Sequence, residues 1–267
     1  MELALVYMVA GMSSRFGGRA KGFAKVGKNN EPLIEVSINQ AVKAGFTKII
    51  FIVSKKTQEL FYEMFKSSYK NIPIYYAVQE YDESSRDRPW GTADAICCAS
   101  SLIDCPFVVC NGDDIYGEET FKIMANHLKS SKDEATIGYH LKNAMPAKGT
   151  ANRGIFKVEK GFVQSITETY NISLLDLSKH NLTPEDLCSM NMYALHPSVL
   201  KNLSSRVKKF KQERSGDRKA ECLLPQELSF MISNGEIRLK LYSTPDKWLG
   251  ITNPEDEEIV RQAIQNL

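Results

Sequence analysis

The chain has 267 residues, with 34 basic and 32 acidic side chains, and 43% of its residues are hydrophobic, which is the composition of a globular protein and not of a disordered one. A net charge of +2 leaves no basic excess for coating nucleic acid or a membrane surface, so neither is expected as a partner. The chain starts with Met1 and Glu2 without a basic signal peptide, and its longest apolar run, 3–10, is far below the roughly 20 residues of a membrane span, which predicts a cytoplasmic protein.

Apolar runs of strand length alternate with helical patterns over the first 110 residues. An apolar run at 3–9 predicts a buried first strand, and a helix is expected from Pro32, after which apolar residues recur at helical spacing until Gly45. The elements expected next are, in chain order, a strand at 48–53, a helix around 60–65, a strand at 72–78, a polar loop at 80–89, a helix from about Gly91 and a strand at 106–110. This alternation predicts an α/β fold with three layers, α/β/α, around a Rossmann-like, mostly parallel mixed sheet.

The pattern changes after about residue 130, where the predicted strands become shorter. They are expected at 135–140, 154–158, 162–167, 190–195 and 238–242, with helices around 197–210, 217–233 and 254–266. Asn253 is the expected N-cap of the last helix. Because no repeat or low-complexity linker separates the halves, we predict a single domain over 1–267, with a first half at 1–130 and a second at 131–267.

An acid-free, glycine-rich stretch follows the first strand. Average composition would place about three acidic residues between Glu2 and Glu31, and the sequence has none. The stretch contains basic residues and closely spaced glycines, namely Arg15, Arg19, Lys21, Lys25 and Lys28 with Gly11, Gly17, Gly18 and Gly22. Such a turn at the carboxyl end of a parallel strand favours phosphate binding, because glycines expose backbone N–H groups and cations neutralise the anion. The alternative is a mobile surface loop with solvated lysines.

Two common phosphate-binding motifs do not match this loop. The P-loop requires lysine after its second glycine, where Phe23 follows Gly22, and the dinucleotide fingerprint requires glycine at Ser13. The sequence of 10–21, AGMSSRFGGRAK, instead resembles the AGxxSxRxG…K signature of the nucleotidyltransferase superfamily. That superfamily includes sugar-phosphate nucleotidylyltransferases built on a glycosyltransferase-A-like fold, and the resemblance implies this fold here.

The resemblance implies roles for the loop residues. Arg15 would stabilise the β- and γ-phosphates as they leave, and a catalytic lysine would contact the α-phosphate or the acceptor phosphate. The spacing from Arg15 fits Lys21 in the shorter form of the signature and Lys25 in the longer form, and the Arg-Phe-Gly-Gly sequence favours Lys21. The residues implied in nucleotide binding before Arg15 are Ala10, Gly11, Met12, Ser13 and Ser14.

Two further segments resemble parts of the family that contact the nucleotide base. The segment 88–93, RPWGTA, resembles the LGTA element, in which the glycine backbone faces the base, and this implies binding roles for Gly91 and Thr92. Gln79 corresponds to a glutamine of pyrimidine-reading relatives, and an amide can read a donor and an acceptor together. The alternatives are a surface glutamine and a simple helix start.

The segment 111–117, NGDDIYG, follows the fourth buried strand and resembles the metal-binding element of the family. The resemblance implies that Asp113 binds Mg²⁺, a hard ion that prefers oxygen ligands and phosphates, and that Asn111 contacts the nucleotide. The alternative is that the aspartates cap the next helix.

The second half carries looser matches to the acceptor site. The segment from Arg153 to Glu168 resembles the family's G…EK element, which implies acceptor contacts from Gly154 and Glu168, but Thr169 stands where the family has lysine. Asn191 lies in a segment that resembles the floor of the acceptor site. The alternative for each is plain packing in a strand or helix.

The segment 247–256 departs from the family at a metal ligand. It resembles WxDIxTPED, but Gly250 stands in place of the first aspartate. Either one carboxylate suffices, with waters and phosphates completing the shell, or Asp246 reaches into the site. Lys247 is the further acceptor or phosphate contact, and Trp248 by default is a packing residue.

These resemblances imply transfer of a nucleoside monophosphate from an NTP, expected to be UTP, CTP or dTTP, to a sugar-1-phosphate or similar phosphorylated acceptor, with release of pyrophosphate. The half at 1–130 would bind the nucleotide, the half at 131–267 the acceptor, and Mg²⁺ is the expected cofactor. One alternative is a glycosyltransferase using a nucleotide sugar, although Asn111 replaces the first aspartate of its usual DxD motif. Others are a non-catalytic nucleotide-sugar sensor and transfer to a non-sugar phosphate. The oligomeric state is left open.

Overall fold

A mixed sheet forms the centre of the molecule in the computed structural model, which describes residues 1–11, 21–146, 149–251 and 256–265. The strands in these ranges are β1 (Ala4–Met8), β2 (Lys48–Val53), β3 (Ser68–Tyr69), β4 (Ile72–Val78), β5 (Phe107–Asn111), β6 (Asp114–Ile115), β7 (Glu134–Ile137), β8 (Tyr139–His140), β9 (Ala151–Glu159), β10 (Phe162–Ile172), β11 (Leu187–Ser189), β12 (Tyr193–Leu195), β13 (Leu239–Tyr242) and β14 (Leu249–Gly250). The main sheet has the order β3-β4-β2-β1-β5-β12-β7-β13-β10-β9-β11-β8, and β14 pairs with β6 beside it.

Helices cover both faces of this sheet. In the described ranges they are α1 (Leu33–Lys43), α2 (Lys55–Phe65), α3 (Thr92–Cys98), α4 (Glu118–Ser130), α5 (Leu141–Ala144), α6 (Val199–Glu213), α7 (Leu224–Ser233) and α8 (Asp256–Gln265). Alternate residues of β1 enter two separate cores: Leu5 and Tyr7 pack with α1, α2 and α4, and Ala4 and Val6 pack with α3, α6 and α7. The predicted three-layer α/β/α architecture is confirmed.

Four neighbouring strands of the first half are parallel, and their carboxyl ends form the edge at which a binding site is expected. β4, β2, β1 and β5 run side by side in parallel register, so their carboxyl ends meet at one edge of the sheet. Gly11, Gln79 and Asp113 follow three of these strands. The second half continues the sheet mainly through antiparallel pairs, such as β12 on β5 and β10 on β9.

Two predicted elements of the second half are wrong in extent. The strand expected at 190–195 forms only over β12, and residues 190–192 separate it from β11, because Asn191 takes a left-handed conformation with φ of 58°. The helix expected at 217–233 begins only at Leu224. The residues before it form a turn and an irregular segment instead of a helix, and their carbonyl groups bind another loop: Arg86 donates hydrogen bonds to the carbonyls of Asp217 and Ala220.

The last helix, α8, begins at Asp256, and the expected cap Asn253 lies outside the described residues. Val260 and Ile264 of α8 pack with Ile115 in a third, smaller core. Across the described ranges, no helix has the length and apolar character needed to cross a bilayer.

Candidate active site

Lys21 and Asp113 meet at the carboxyl edge of the parallel strands. Their Nζ and Oδ2 atoms are 3.5 Å apart, and both side chains remain partly exposed. The contact depends on a close approach of two backbones, because Gly22 follows Lys21 in a short 3₁₀ turn packed on Gly112. A Cβ at Gly22 would lie 2.7 Å from the Gly112 carbonyl oxygen, so a side chain there would push Lys21 away from Asp113.

A cleft surrounds this ion pair, and we call it the Asp113 cleft. Its volume is about 150 Å³. It brings together residues from both halves of the chain, namely Lys21, Asn111, Asp113, Asp114, Asn152, Arg153, Gly154, Glu168, Ser189, Met190, Asn191, Trp248 and Ile251. Lys21, Asp113 and the predicted acceptor contacts Gly154, Glu168 and Asn191 therefore line one space.

The two adjacent aspartates have different environments. The side chain of Asp113 is 38% exposed in the cleft, whereas Asp114 is buried and accepts hydrogen bonds from Asn111 Nδ2 at 2.8 Å and from the Tyr116 hydroxyl at 3.2 Å. Burial and the neighbouring charge of Asp113 raise the pKa of Asp114 to about 7. Asp113 is therefore the carboxylate available to a ligand.

Neither aspartate caps the following helix. The N-cap of α4 is Gly117, and the carboxylate at this helix end is that of Asp246, whose Oδ2 accepts a hydrogen bond of 2.7 Å from the Thr120 N–H. Asp246 is thus engaged in capping and is not among the residues that line the Asp113 cleft in the described ranges.

Gly250, which replaces the family aspartate, lies where a side chain has no room. It pairs with Asp114 between β14 and β6, and a Cβ at Gly250 would lie 2.6 Å from Asp114 Oδ1 and closer still to the Trp248 ring. The space of the missing side chain is therefore filled by Trp248 and by the carboxylate of Asp114.

We expect Gly250→Asp to lower the free energy of unfolding by about 2 kcal/mol or more, since it adds an overpacked side chain and a second charge beside buried Asp114. Denaturant unfolding measures the change. Gly216→Asp is the matched control, because nothing lies within 4 Å of a Cβ at Gly216 and its effect should stay within about 0.5 kcal/mol. Equal stabilities of the two variants would contradict the packing argument.

The acceptor side of the cleft has one acid and one cation. Glu168 is half-buried, and burial raises the pKa of this carboxyl while the charge of Arg153 opposes the rise. Gly154 lies directly across from Glu168 in the β9–β10 register, and a Cβ there would be 3.0 Å from Ile166. Asn191 completes this side.

Arg153 was not predicted as a site residue. It lies directly across from Thr169, the position where the family has lysine, and it lines the cleft. Its guanidinium donates to the carbonyls of Ala144 and Asn152, and Nη2 is 2.6 Å from the Ala144 oxygen. Arginine remains charged when partly buried, so the cleft keeps a second cation beside Lys21.

A second, larger cleft of about 590 Å³ opens next to the first strand, and we call it the Gln79 cleft. Ala10 and Gly11 line it together with Gln79, Lys55 and Arg88. Gln79 itself is buried, with 6% of its surface exposed. This cleft collects the described residues that were predicted to face the nucleotide at the end of β1 and β4.

Other predicted residues have different positions. Thr92 begins α3, and its hydroxyl accepts a hydrogen bond of 2.9 Å from the Leu224 N–H at the start of α7. Lys247 is exposed and does not line either cleft in the described ranges. Arg15 and the residues Met12, Ser13 and Ser14 lie outside the described residues.

The donor chemistry of the Asp113 cleft fits a hard cation. The ligands on offer are oxygens, from the carboxylates of Asp113 and Glu168 and the amide of Asn111, which suits Mg²⁺ held by one or two carboxylates and substrate phosphates. Among the described residues, the cluster of three metal-capable side chains within 4.8 Å of one another is Glu2, Asp104 and Cys105, which precede β1 and β5 at the opposite edge of the sheet. The candidate metal site therefore relies on the substrate for further ligands.

Solved structures of known proteins share this fold. A UDP-glucose pyrophosphorylase complexed with UDP-glucose is 18% identical, with a TM-score of 0.70 over 100% of this chain and 99% of that chain. A Bacillus anthracis protein described as a glucose-1-phosphate thymidylyltransferase, in complex with sucrose, is 14% identical, with a TM-score of 0.73 over 99% and 96%. A UTP-bound UGPase of Acinetobacter baumannii is 16% identical, with a TM-score of 0.65 over 98% and 93%. At these identities the likeness shows the fold.

No curated protein sequence matches the chain. The family assignment rests on a family model described as nucleotidyl transferase, which matches residues 18–227 and so spans most of the sequence. That range includes Lys21, Gln79, Asp113 and Glu168, the residues that the structure places around the two clefts. The chain belongs to the nucleotidyl transferase family and is a nucleotidyltransferase enzyme.

Proposed function

We propose that the enzyme transfers a nucleoside monophosphate from a pyrimidine triphosphate (UTP, CTP or dTTP) to a sugar-1-phosphate or similar phosphorylated acceptor, with release of pyrophosphate. The observation that carries this proposal is the ion pair of Lys21 and Asp113, 3.5 Å apart at the edge where the parallel strands end. The pair lies in a cleft lined by both halves of the chain, whereas the described lining of the Gln79 cleft comes from 1–130 alone. This supports a division into a nucleotide-binding half at 1–130 and an acceptor-binding half at 131–267.

The proposed reaction needs charge neutralisation more than covalent chemistry. An oxygen of the acceptor phosphate attacks the α-phosphorus, and the bond from that phosphorus to the bridging oxygen of pyrophosphate breaks. Lys21 neutralises the phosphates in the cleft, and Arg15, which lies outside the described residues, is proposed to contact the leaving pyrophosphate. Asp113 would hold Mg²⁺, whose charge would offset that of the phosphate oxygens.

Arg153 is proposed to contact the acceptor phosphate in place of the family lysine. The β9–β10 register places Arg153 across from Thr169, and side chains directly opposite each other leave the same face of a sheet. Arg153 and Lys21 are thus the cations that the described residues supply to the Asp113 cleft. Because guanidinium binds phosphate through paired N–H groups, this contact suits an acceptor whose phosphate enters beside Glu168.

We expect Arg153→Gln to raise the KM for the acceptor about 10- to 100-fold, as for the loss of a hydrogen bond to a charged group, with little change in the KM for the NTP. The KM of Arg153→Lys for the acceptor should lie between those of Arg153→Gln and the wild type. The matched control is Arg238→Gln. Arg153 lies over the Trp248 ring at 5.7 Å, and Arg238 lies over the Phe162 ring at 4.2 Å but does not line the cleft. A rise in the KM for the NTP alone would show that Arg153 contacts the NTP, and would contradict its assignment to the acceptor phosphate.

The proposed function is tested by a screen of the four NTPs against sugar-1-phosphates, polyol phosphates and amino-alcohol phosphates, scored by Mg²⁺-dependent pyrophosphate release. We expect release with at least one pyrimidine triphosphate and one acceptor. Release of a nucleoside diphosphate from a nucleotide sugar would instead show a glycosyltransferase. Binding of NTP without exchange of pyrophosphate into NTP would show a non-catalytic sensor.

A further inference from the structure

The side-chain amide of Gln79 has both of its hydrogens occupied inside the protein. Nε2 donates to the Gly91 carbonyl at 3.0 Å and to Asp94 Oδ2 at 2.9 Å. Both partners only accept hydrogen bonds, so the opposite orientation of the amide would place Oε1 against two acceptors. The remaining polar atom of Gln79 is Oε1, and any ligand that bonds to this side chain in the Gln79 cleft must donate.

Both acceptors are fixed by their own contacts. Asp94 is 2% exposed, and its other oxygen, Oδ1, forms an ion pair with Lys211 Nζ at 2.5 Å. Gly91 has φ of 97°, and a Cβ there would lie 2.5 Å from the Cys222 oxygen, so its peptide is held against the 222 backbone. The amide of Gln79 therefore cannot turn over without breaking contacts from two elements.

We propose that Asp94 is a positioning residue that locks Gln79 as a hydrogen-bond acceptor, so that the site selects a base with an N–H donor, uracil or thymine, over cytosine. This inference rests on the proposed function, because it assumes that the Gln79 cleft takes the base. Uracil and thymine carry N3–H between two carbonyl groups, which matches an acceptor. Cytosine has a lone pair at N3 that Oε1 repels, and its donor is the exocyclic amine on the neighbouring carbon.

Asp94→Asn tests whether Asp94 fixes the orientation of the Gln79 amide, because the charged Lys211 lies beside residue 94. Asparagine has one oxygen, and the ammonium group of Lys211 competes for it more strongly than the neutral amide of Gln79. The asparagine nitrogen would then face Gln79 Nε2, two donors would oppose each other, and the amide of Gln79 would lose its single orientation. Removing Lys211 as well frees the asparagine oxygen for Gln79 and should restore the orientation.

The measurement is the affinity for UTP, dTTP, CTP and 3-methyl-UTP, by calorimetry, for the wild type, Asp94→Asn, Lys211→Met and the double variant. We expect the wild type to bind UTP or dTTP at least about 10-fold more tightly than CTP and 3-methyl-UTP, the scale of one hydrogen bond and its unpaired partner. Asp94→Asn should bring UTP and CTP within about 3-fold of each other, whereas Lys211→Met should keep the preference and the double variant regain it.

Several outcomes would overturn the inference: a wild type that binds CTP or 3-methyl-UTP as well as UTP, an unchanged preference in Asp94→Asn, or a double variant no better than the single one. A purely structural role of Asp94 predicts no rescue by loss of Lys211. Should Asp94→Asn not fold, as judged by circular dichroism, the wild-type comparison of UTP with 3-methyl-UTP decides. Binding is measured without turnover, so the two proposals can fail separately. Selective binding of UTP or dTTP without pyrophosphate release would contradict the proposed function but would support the base selection.

Discussion

Asp113→Asn is expected to lower the rate of pyrophosphate release at least about 100-fold, which is the usual cost of losing one electrostatic contact to a reacting phosphate. The change keeps the shape of the side chain and removes the charge that would hold Mg²⁺ and that pairs with Lys21 at 3.5 Å. Because the Asp113 side chain is 38% exposed, the free energy of unfolding should stay within about 0.5 kcal/mol of the wild type. The loss should therefore appear in activity and not in folding.

The matched control is Asp133→Asn. Asp133 is also partly exposed, at 31%, and its Oδ2 lies 3.6 Å from Arg238, but it precedes β7 at the opposite edge of the sheet. Its loss should leave the rate unchanged. A second readout is the Mg²⁺ concentration that gives half-maximal rate, which Asp113→Asn should raise and Asp133→Asn should not. More than a tenth of the wild-type rate in Asp113→Asn would contradict the assignment of Asp113 to the metal.

The first half of the fold was predictable because its signals are local. Buried parallel strands appear as continuous apolar runs, and the carboxyl ends of such strands must share an edge. That rule alone predicts that the residues after β1, β4 and β5 approach one another, and the structure places Gly11, Gln79 and Asp113 at this edge. That rule does not predict which of the two clefts each of these residues lines.

The position of Arg153 was not predictable because of one irregularity in a hairpin. Lys160 and Gly161, both with positive φ, form the two-residue turn between β9 and β10, and regular pairing from that turn would place Asn152 across from Thr169. A register shift between Val163 and Ser165 moves the pairing by one residue, so that Arg153 faces Thr169 instead. A bulge of this kind leaves no clear trace in the sequence.

The roles of Asp246 and Gly250 depend on contacts between distant segments. Asp246 caps α4 through Thr120, which is 126 residues away in the chain, and Gly250 makes room for Trp248 and Asp114. Sequence comparison with the family shows that an aspartate is missing at position 250, but it does not show what fills the space. The structure indicates that packing of Trp248 and Asp114 replaces the missing carboxylate and that, of the two adjacent aspartates, Asp113 is the exposed one.

Lys21→Met is expected to lower kcat/KM about 100- to 1,000-fold, because it removes the cation that lies beside Asp113 where the phosphates would bind. The sequence spacing allowed either Lys21 or Lys25 as the catalytic lysine. The structure favours the shorter spacing, since Lys21 lines the Asp113 cleft, whereas the Lys25 side chain is exposed and does not line either cleft in the described ranges. Rates at saturating acceptor and at saturating NTP would show which substrate loses its contact.

Lys25→Met is the matched control for this prediction. Lys25 contributes to the fold through its backbone, which bridges to Pro32 and whose carbonyl accepts hydrogen bonds from Arg261, and these contacts survive a change of side chain. Its kcat/KM should therefore stay within about 3-fold of the wild type, as expected for a surface substitution away from the site. The opposite pattern would assign the catalytic role to Lys25 and the longer spacing. The proposed reaction needs a cation in the cleft to neutralise the phosphates. Near-normal kcat/KM in both variants would therefore show that neither lysine makes this contact.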